Sequence, residues 1–74
     1  MILFDGKHLT SDTSVDELRE FAETVGLKRE WEQVSNKGVI HYDVWGFRAG
    51  QIGVAVGRVS SRIIALRGIR SWAG

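Results

Sequence analysis

The side chains in this chain best suited to acid–base or metal chemistry are two histidines and the carboxylates near them. His41 and Asp43 lie two residues apart in a run of β-branched and aromatic residues, which predicts a strand with both side chains on one side. His8 and Asp12 lie in a polar stretch before a helical pattern, and Asp5 ends the apolar run that opens the chain. If these segments are neighbours in the fold, two imidazoles and two or three carboxylates converge.

Such a set suits a hard or borderline divalent metal ion, or a His–Asp general base. It would make the protein a small metal-assisted, hydrolase-like enzyme with catalytic groups at His8, Asp12, His41 and Asp43. Each residue also has a purely structural interpretation, because Asp12 can cap a helix, the histidines can bond to backbone, and Asp43 can pair with an arginine. Neither pair has the spacing of an established metal motif, so the sequence leaves catalysis and any cofactor undecided.

A second group of polar residues lies near the carboxyl end, where Ser60, Ser61 and Arg62 begin a predicted helix. Hydroxyls, exposed amides and a guanidinium at a helix start can bind an anion, although serines there often serve only as caps. Our leading hypothesis is therefore a non-catalytic binding module for a phosphate-bearing small molecule or an acidic protein surface. Its predicted contacts are His8, Asp12, His41, Tyr42, Arg48, Ser60, Ser61 and Arg62.

The charges of the chain are distributed unevenly. Residues 1–44 hold five basic and nine acidic side chains, a net charge of −4, whereas residues 45–74 hold five arginines and no acid, a net charge of +5. This asymmetry indicates an acidic partner, or else attraction between the two halves within the fold or across a homo-oligomer interface. A further alternative is a phage-type accessory protein that grips a host protein through the arginines and Trp72. Nucleic acid has weaker support, since no known reading motif is present.

Length and composition favour one small domain spanning residues 1–74. The 74 residues include no cysteine, so stability must come from packing or from self-association rather than from disulfides. No apolar run approaches the roughly 20 residues that span a membrane, and the opening apolar run is too short for a signal peptide. We therefore expect a cytoplasmic protein, in the host cytoplasm if a phage encodes it.

The hydrophobic patterns predict an α/β domain, in which a three- to four-stranded sheet is covered by two or three helices. Strands are expected near residues 1–5, 39–43 and 57–60, with 31–34 as an antiparallel edge. Helices are expected near residues 15–25 and 61–67, followed by a short tail at 69–74. A capping box at Ser14 and Glu17 should open the first helix, and Gly26 should end it.

Residues 7–14 are predicted to form a polar loop. Residues 45–57 combine glycines every three or four positions with an alternation of valine and small residues, so the pattern alone does not distinguish a helix from a strand.

Short matches along the chain resemble the domain of unknown function family 4031, which consists of small proteins from bacteria and their phages. The most specific are His41-Tyr42-Asp43 and Val59-Ser60-Ser61-Arg62, supported by His8-Leu9 and Gly26-Leu27. The resemblance covers roughly residues 1–67, and it implies a helix over 47–56 but no activity. The chain departs from the family pattern by reducing the stretch before His8 to Gly6-Lys7.

Overall fold

A computed structural model describes residues 1–70 of the chain. The described part contains four strands, three α-helices and a short 3-10 helix at Arg29–Trp31. The strands are β1 (Ile2–Phe4), β2 (His8–Ser11), β3 (Glu32–Val34) and β4 (Ile40–Asp43). The α-helices are α1 (Val15–Thr24), α2 (Gly46–Val56) and α3 (Ser61–Arg67). This confirms the predicted small α/β domain.

The four strands form one antiparallel sheet in the order β1-β2-β4-β3. In the centre of the sheet, His8 lies opposite Asp43 and Leu9 lies opposite Tyr42. The predicted antiparallel edge is confirmed, because β3 pairs with β4 and sets Gln33 opposite His41. Successive side chains of a strand point to opposite faces, so His8, His41 and Asp43 share one face.

Both faces of the sheet are covered by helices. The larger core packs α1 and α2 against strand residues that include Phe4, Leu9 and Tyr42. The smaller core, on the other face, joins Leu3 and Val39 to Ile64 of α3. The first strand is therefore apolar without alternation because both of its faces are buried.

Helix α1 begins and ends as its sequence predicts. The Ser14 hydroxyl accepts a hydrogen bond from the Glu17 amide, which caps the first turn. At the other end Gly26 has a φ of +83°, and the Leu27 amide donates back to the Ala22 carbonyl. This is the Schellman arrangement, which favours glycine at the left-handed position. The Arg19 guanidinium then joins α1 to β3 through two 2.9 Å hydrogen bonds to Glu32.

The interpretation of residues 7–14 as a loop was wrong, because His8–Ser11 form the central strand β2. Its polar residues Thr10 and Ser11 are fully buried. The Thr10 hydroxyl donates to the Ile40 carbonyl at 2.6 Å, and the Ser11 hydroxyl donates to Glu17 Oε1 at 2.6 Å. Hydrogen bonds to other segments thus allow polar residues to be buried in this strand, so the hydrophobic alternation of a half-buried strand is absent.

The structure corrects the prediction for residues 57–60 and decides between helix and strand for the segment before them. Residues 57–60 are not a strand, because Val59 makes a single sheet-like hydrogen bond, from its amide to the Phe4 carbonyl at 2.8 Å. Residues 46–56 form α2, as the family resemblance implied. Ala49 and Ile52 of this helix are buried against the larger core, whereas its glycines lie mostly on the outer side.

The start of the predicted tail is integrated into the sheet. The Ile69 amide donates to the Ser11 carbonyl, and the Ile69 carbonyl accepts from the Ile40 amide, both at 2.8 Å. Ile69 therefore lies between the ends of β2 and β4, where the two strands no longer pair directly. Trp72 lies outside the described residues. No described helix is long and apolar enough to span a membrane.

Two glycines provide a matched test of this packing. A methyl group on Gly68 would lie 2.5 Å from Val39 Cγ1 and 2.7 Å from the Ile64 carbonyl oxygen, whereas one on Gly50 would meet open space. We expect Gly68→Ala to lower the free energy of unfolding by about 1–3 kcal/mol through overpacking. We expect Gly50→Ala, within α2, to raise it by about 0.5–1 kcal/mol. Urea unfolding of both variants checks this, and equal effects would contradict the packing described.

Candidate functional site

The polar side chains on the α3 face of the sheet form one cluster, which we call the two-histidine pocket. Its members are His8 of β2, His41 and Asp43 of β4, Asp5 in the turn after β1, and Ser61 at the start of α3. The β2–β4 register brings His8 across from Asp43, and the two imidazole rings lie edge to face with centroids 5.5 Å apart. The sheet therefore unites residues separated by more than thirty positions in sequence.

Asp5 anchors this pocket. Its Oδ1 accepts from the backbone amides of Lys7 and His8, at 2.8 and 2.6 Å, and its Oδ2 accepts from the Ser61 hydroxyl at 2.9 Å. Burial raises the pKa of the Asp5 carboxyl, but these hydrogen bonds and one from the His8 ring outweigh burial and lower the pKa to about 2. Asp5 is thus ionised at neutral pH and acts as an acceptor.

The tautomers of both histidines follow from their partners. His8 Nδ1 lies 2.8 Å from Asp5 Oδ2, and because that carboxylate is ionised, Nδ1 must carry the proton. His41 Nδ1 lies 3.0 Å from the Val39 carbonyl oxygen, which also only accepts. In the neutral form of each ring, Nε2 therefore bears a lone pair and no proton.

These two lone-pair nitrogens lie beside a carboxylate oxygen. Asp43 Oδ1 is 3.3 Å from His41 Nε2 and 3.9 Å from His8 Nε2. Asp43 Oδ1 is buried and has no hydrogen-bond donor, while Oδ2 of the same carboxylate accepts from Gln33 Nε2 at 3.4 Å. With both rings neutral, three acceptors converge with no donor between them, an arrangement that a proton or a cation would stabilise.

The distances between these three atoms are close to those of a metal site but do not all match them. Among the described residues, no three His, Asp or Glu side chains are already arranged to hold a metal ion. Two ligands on a tetrahedral zinc ion lie roughly 3.3 Å apart, since each bond is about 2.0–2.1 Å. The His41–Asp43 separation of 3.3 Å matches this value. The His8–Asp43 separation of 3.9 Å exceeds it by about 0.6 Å, a distance that a small side-chain rotation can cover.

A pocket of about 300 Å³ opens beside the histidines. Its lining includes His8 and His41, Ser61 and Ile64 of α3, and Lys37 of the β3–β4 turn, but not Asp43. The His8 side chain is 36% exposed and that of His41 is 8% exposed, so the first is reachable from solvent and the second is held within the fold.

Three predicted site residues lie elsewhere. Asp12 Oδ1 lies 2.9 Å from the Met1 amino nitrogen, and this pairing lowers the pKa of the carboxyl. Tyr42 is buried in the larger core, on the opposite face of the sheet, with its hydroxyl 3.3 Å from Glu32 Oε1. Arg48 lies on α2, where its guanidinium approaches Gly26. The structure therefore does not bring Asp12 or Tyr42 to the histidines, and Arg48 lines a separate depression that it shares with Asp43.

The predicted anion-binding residues Ser60, Ser61 and Arg62 have different surroundings. The Ser60 hydroxyl caps α3 by accepting from the Ile63 amide at 3.4 Å. The Ser61 hydroxyl donates to Asp5, so a carboxylate of the chain already lies beside the start of α3. Arg62 is exposed and lines a shallow surface depression that also contains Lys37 and Ser61.

Lys37 and Gln33 also lie in this region, and neither was predicted as a site residue. Their local sequence indicates no site. The strand register of the folded sheet places Gln33 beside His41 and places the turn that contains Lys37 beside α3.

The family described as "Protein of unknown function (DUF4031)" matches residues 6–70. The chain belongs to this family. No curated protein and no solved structure matches the chain. Membership in DUF4031 confirms the resemblance seen in the sequence and, as its description carries no activity, the site has to be interpreted from its geometry.

Asp5 gives this site a measurable pH dependence. Because its folded pKa of about 2 lies below the ordinary aspartate value of 3.8, its stabilisation is complete above about pH 4 and is lost as the pH falls through 2. We expect Asp5→Asn to lower the free energy of unfolding by about 2 kcal/mol at pH 7. The difference from wild type should shrink between pH 4 and pH 2.

Urea unfolding across that pH range tests the expectation. Glu20→Gln, on the exposed side of α1, provides the control and should change stability little at any pH in the range. A constant difference between wild type and Asp5→Asn down to pH 2 would contradict the role assigned to the Asp5 carboxylate.

Proposed function

We propose that this domain binds a divalent transition-metal ion in the two-histidine pocket, with His8 Nε2, His41 Nε2 and Asp43 Oδ1 as ligands. The observation that carries the proposal is the convergence of three acceptor atoms without a donor, one of them the buried Asp43 Oδ1. A metal ion would satisfy all three acceptor atoms at once, whereas a proton on one imidazole would satisfy only that nitrogen and the Asp43 oxygen.

The surroundings of the histidines support the same proposal. Metal-ligating histidines usually donate their second ring nitrogen to a carboxylate or a backbone carbonyl, which fixes the tautomer and the ring orientation. His8 has the carboxylate of Asp5 in this role, and His41 has the carbonyl of Val39. The ring centroid separation of 5.5 Å also agrees with the roughly 5 Å expected for two imidazoles on one zinc ion.

The ligand types favour zinc, cobalt(II), nickel(II) or iron(II) over magnesium or calcium, since two nitrogens and one oxygen suit borderline metals. Three protein ligands leave at least one position open on the ion. A metal-binding domain of this kind is closer to the metal-assisted enzyme that the sequence offered as an alternative than to a metal-independent anion-binding module.

Titration of the purified protein with zinc or cobalt(II) tests this function. We expect one ion per chain, with the visible absorption of tetrahedral cobalt(II), and a thermal stabilisation that chelator reverses. At a free metal concentration of 100 times the dissociation constant, the free energy of unfolding should rise by about 2.7 kcal/mol. His8→Ala and His41→Ala should each weaken binding roughly a hundredfold.

Asp43→Asn separates metal binding from folding. The amide introduced can donate where Asp43 Oδ1 has no donor, so the metal-free variant should be as stable as wild type or about 1 kcal/mol more stable. The same variant should lose the metal. Asp12→Asn, outside the pocket, should bind metal like wild type. Wild-type protein that takes up no metal, or an Asp43→Asn variant that binds it equally well, would overturn the proposal.

A second candidate function, the binding of an acidic protein partner, is supported by a different surface. On α2, Phe47 is 83% exposed and Val54 is 91% exposed, and Gly50 lies between them on the same side of the helix. Trp45, just before the helix, is 76% exposed. Exposed large apolar side chains are typical of interaction surfaces, and Arg48 of the same helix favours an acidic partner.

Photo-cross-linking tests this second function. A photoreactive residue at position 47 should capture one partner in the cells that make the protein, whereas the same residue at the exposed position 20 on α1 should not. Phe47→Asp should leave the free energy of unfolding within about 0.5 kcal/mol of wild type, because the side chain is exposed. Equal capture at both positions, or capture of a second copy of the chain, would contradict an acidic partner at this surface.

A further inference from the structure

The depression that Arg48 shares with Asp43, which we call the tryptophan depression, lies beside the start of α2. It is lined by two tryptophans, two aliphatic residues, a carboxylate and a guanidinium, namely Leu27, Trp31, Asp43, Val44, Trp45 and Arg48. Its volume of about 70 Å³ corresponds to roughly two water molecules, so it holds a small polar group and no aromatic ring. Trp45 is 76% exposed and offers an open ring face, whereas Trp31 already has Lys28 Nζ 5.7 Å from its ring centroid.

The two charged side chains of the tryptophan depression do not neutralise each other. Within residues 1–70, no ion pair joins Asp43 to Arg48, and the Arg48 guanidinium makes no hydrogen bond. Asp43 Oδ2 accepts a long hydrogen bond of 3.4 Å from Gln33 and retains capacity for another donor. The Arg48 guanidinium lies beside Gly26, at the carboxyl end of α1, where the helix dipole attracts a cation. A carboxylate and a guanidinium are therefore both available to a ligand within one small space.

We propose that the tryptophan depression binds the zwitterionic head group of a free α-amino acid. The ammonium group donates to Asp43 Oδ2 beside the ring of Trp45, and the carboxylate accepts from the guanidinium fork of Arg48. Asp43 would repel a phosphate and Arg48 would repel a simple alkylammonium, so the two opposite charges select a ligand that carries both. Because the ammonium group uses Oδ2 and the proposed metal ion uses Oδ1, the amino-acid site does not depend on the metal site.

The concavity next to the tryptophan depression favours an apolar side chain on the amino acid. This concavity also has Arg48 in its lining, and its volume is about 480 Å³. It lies between the end of α1 and α2, where Val25, Ile52 and Ala55 line it, and Arg48 is its one charged lining residue among those described. An apolar side chain therefore extends from the carboxylate on Arg48 into apolar surroundings.

Isothermal titration with L-leucine tests this inference on metal-free protein in the presence of chelator. We expect one L-leucine to bind per chain and to change the tryptophan fluorescence, because Trp31 and Trp45 line the site. Two analogues test the pair of charges without altering the protein. 4-Methylpentanoate lacks the ammonium group and 3-methylbutylamine lacks the carboxylate, so each should bind at least about tenfold more weakly than L-leucine.

Variants identify the residues that hold the two charges. Arg48→Gln and Asp43→Asn should each weaken L-leucine binding at least about tenfold, since each removes one charge-assisted contact. Arg67→Gln, an exposed arginine of α3 outside both concavities, is the matched control and should bind L-leucine like wild type. Arg48→Gln should leave the affinity for zinc unchanged, because Arg48 is not among the proposed metal ligands.

The outcomes distinguish the amino-acid site from the metal site. Absence of L-leucine binding at millimolar concentration overturns the amino-acid site, as does equally tight binding of either analogue. L-Leucine binding that Arg48→Gln does not weaken also overturns it. All three results leave the metal site standing, because zinc uptake is measured without amino acid. Conversely, wild-type protein that binds L-leucine with the expected selectivity and takes up no zinc supports the amino-acid site and overturns the metal site.

Discussion

The buried carboxylate of Asp5 is the interaction on which the arrangement of this domain depends. It closes the turn between β1 and β2 by accepting from two backbone amides, and it orients the His8 ring. It also accepts a hydrogen bond from the Ser61 hydroxyl at the start of α3. One side chain therefore links the sheet, the helix that covers its smaller core, and the imidazole that faces the pocket. Because burial opposes its charge, the carboxylate remains ionised through its hydrogen bonds, and the loss of any donor would affect all three contacts together.

The second organising constraint is electrostatic. Asp5 and the Val39 carbonyl both require a proton on Nδ1 of their histidine, so each neutral ring directs an unprotonated Nε2 toward Asp43. The backbone and Asp5 thus fix the chemistry of the histidines before any ligand arrives. A pocket prepared in this way loses little conformational entropy on binding, which is a condition for affinity in a domain of this size.

The sequence predicted the elements whose signals are local. Helix α1 followed from its capping serine and Gly26, and the shared face of His41 and Asp43 followed from their spacing of two. Strand β2 was missed because its residues Thr10 and Ser11 are polar and yet buried. Their hydrogen bonds to Ile40 and Glu17 make this burial possible, and a hydrophobic pattern does not reveal such bonds. Asp12 seemed a companion of His8, yet it pairs with the Met1 amino group. Lys37 was missed because its place depends on strand register, a long-range property.

The position of Ile69 has a consequence for how the chain acquires its fold. The Ile69 amide donates to Ser11 and the Ile69 carbonyl accepts from Ile40, which completes the ends of both central strands. The sheet is therefore incomplete until a segment nearly sixty residues beyond β2 has been added. Contacts of such long sequence separation slow folding, because their loops must close before they stabilise anything. During synthesis the amino-terminal hairpin would therefore emerge from the ribosome with its buried threonine and serine still exposed to water. The domain can reach its native state only after nearly all of residues 1–70 have left the ribosome.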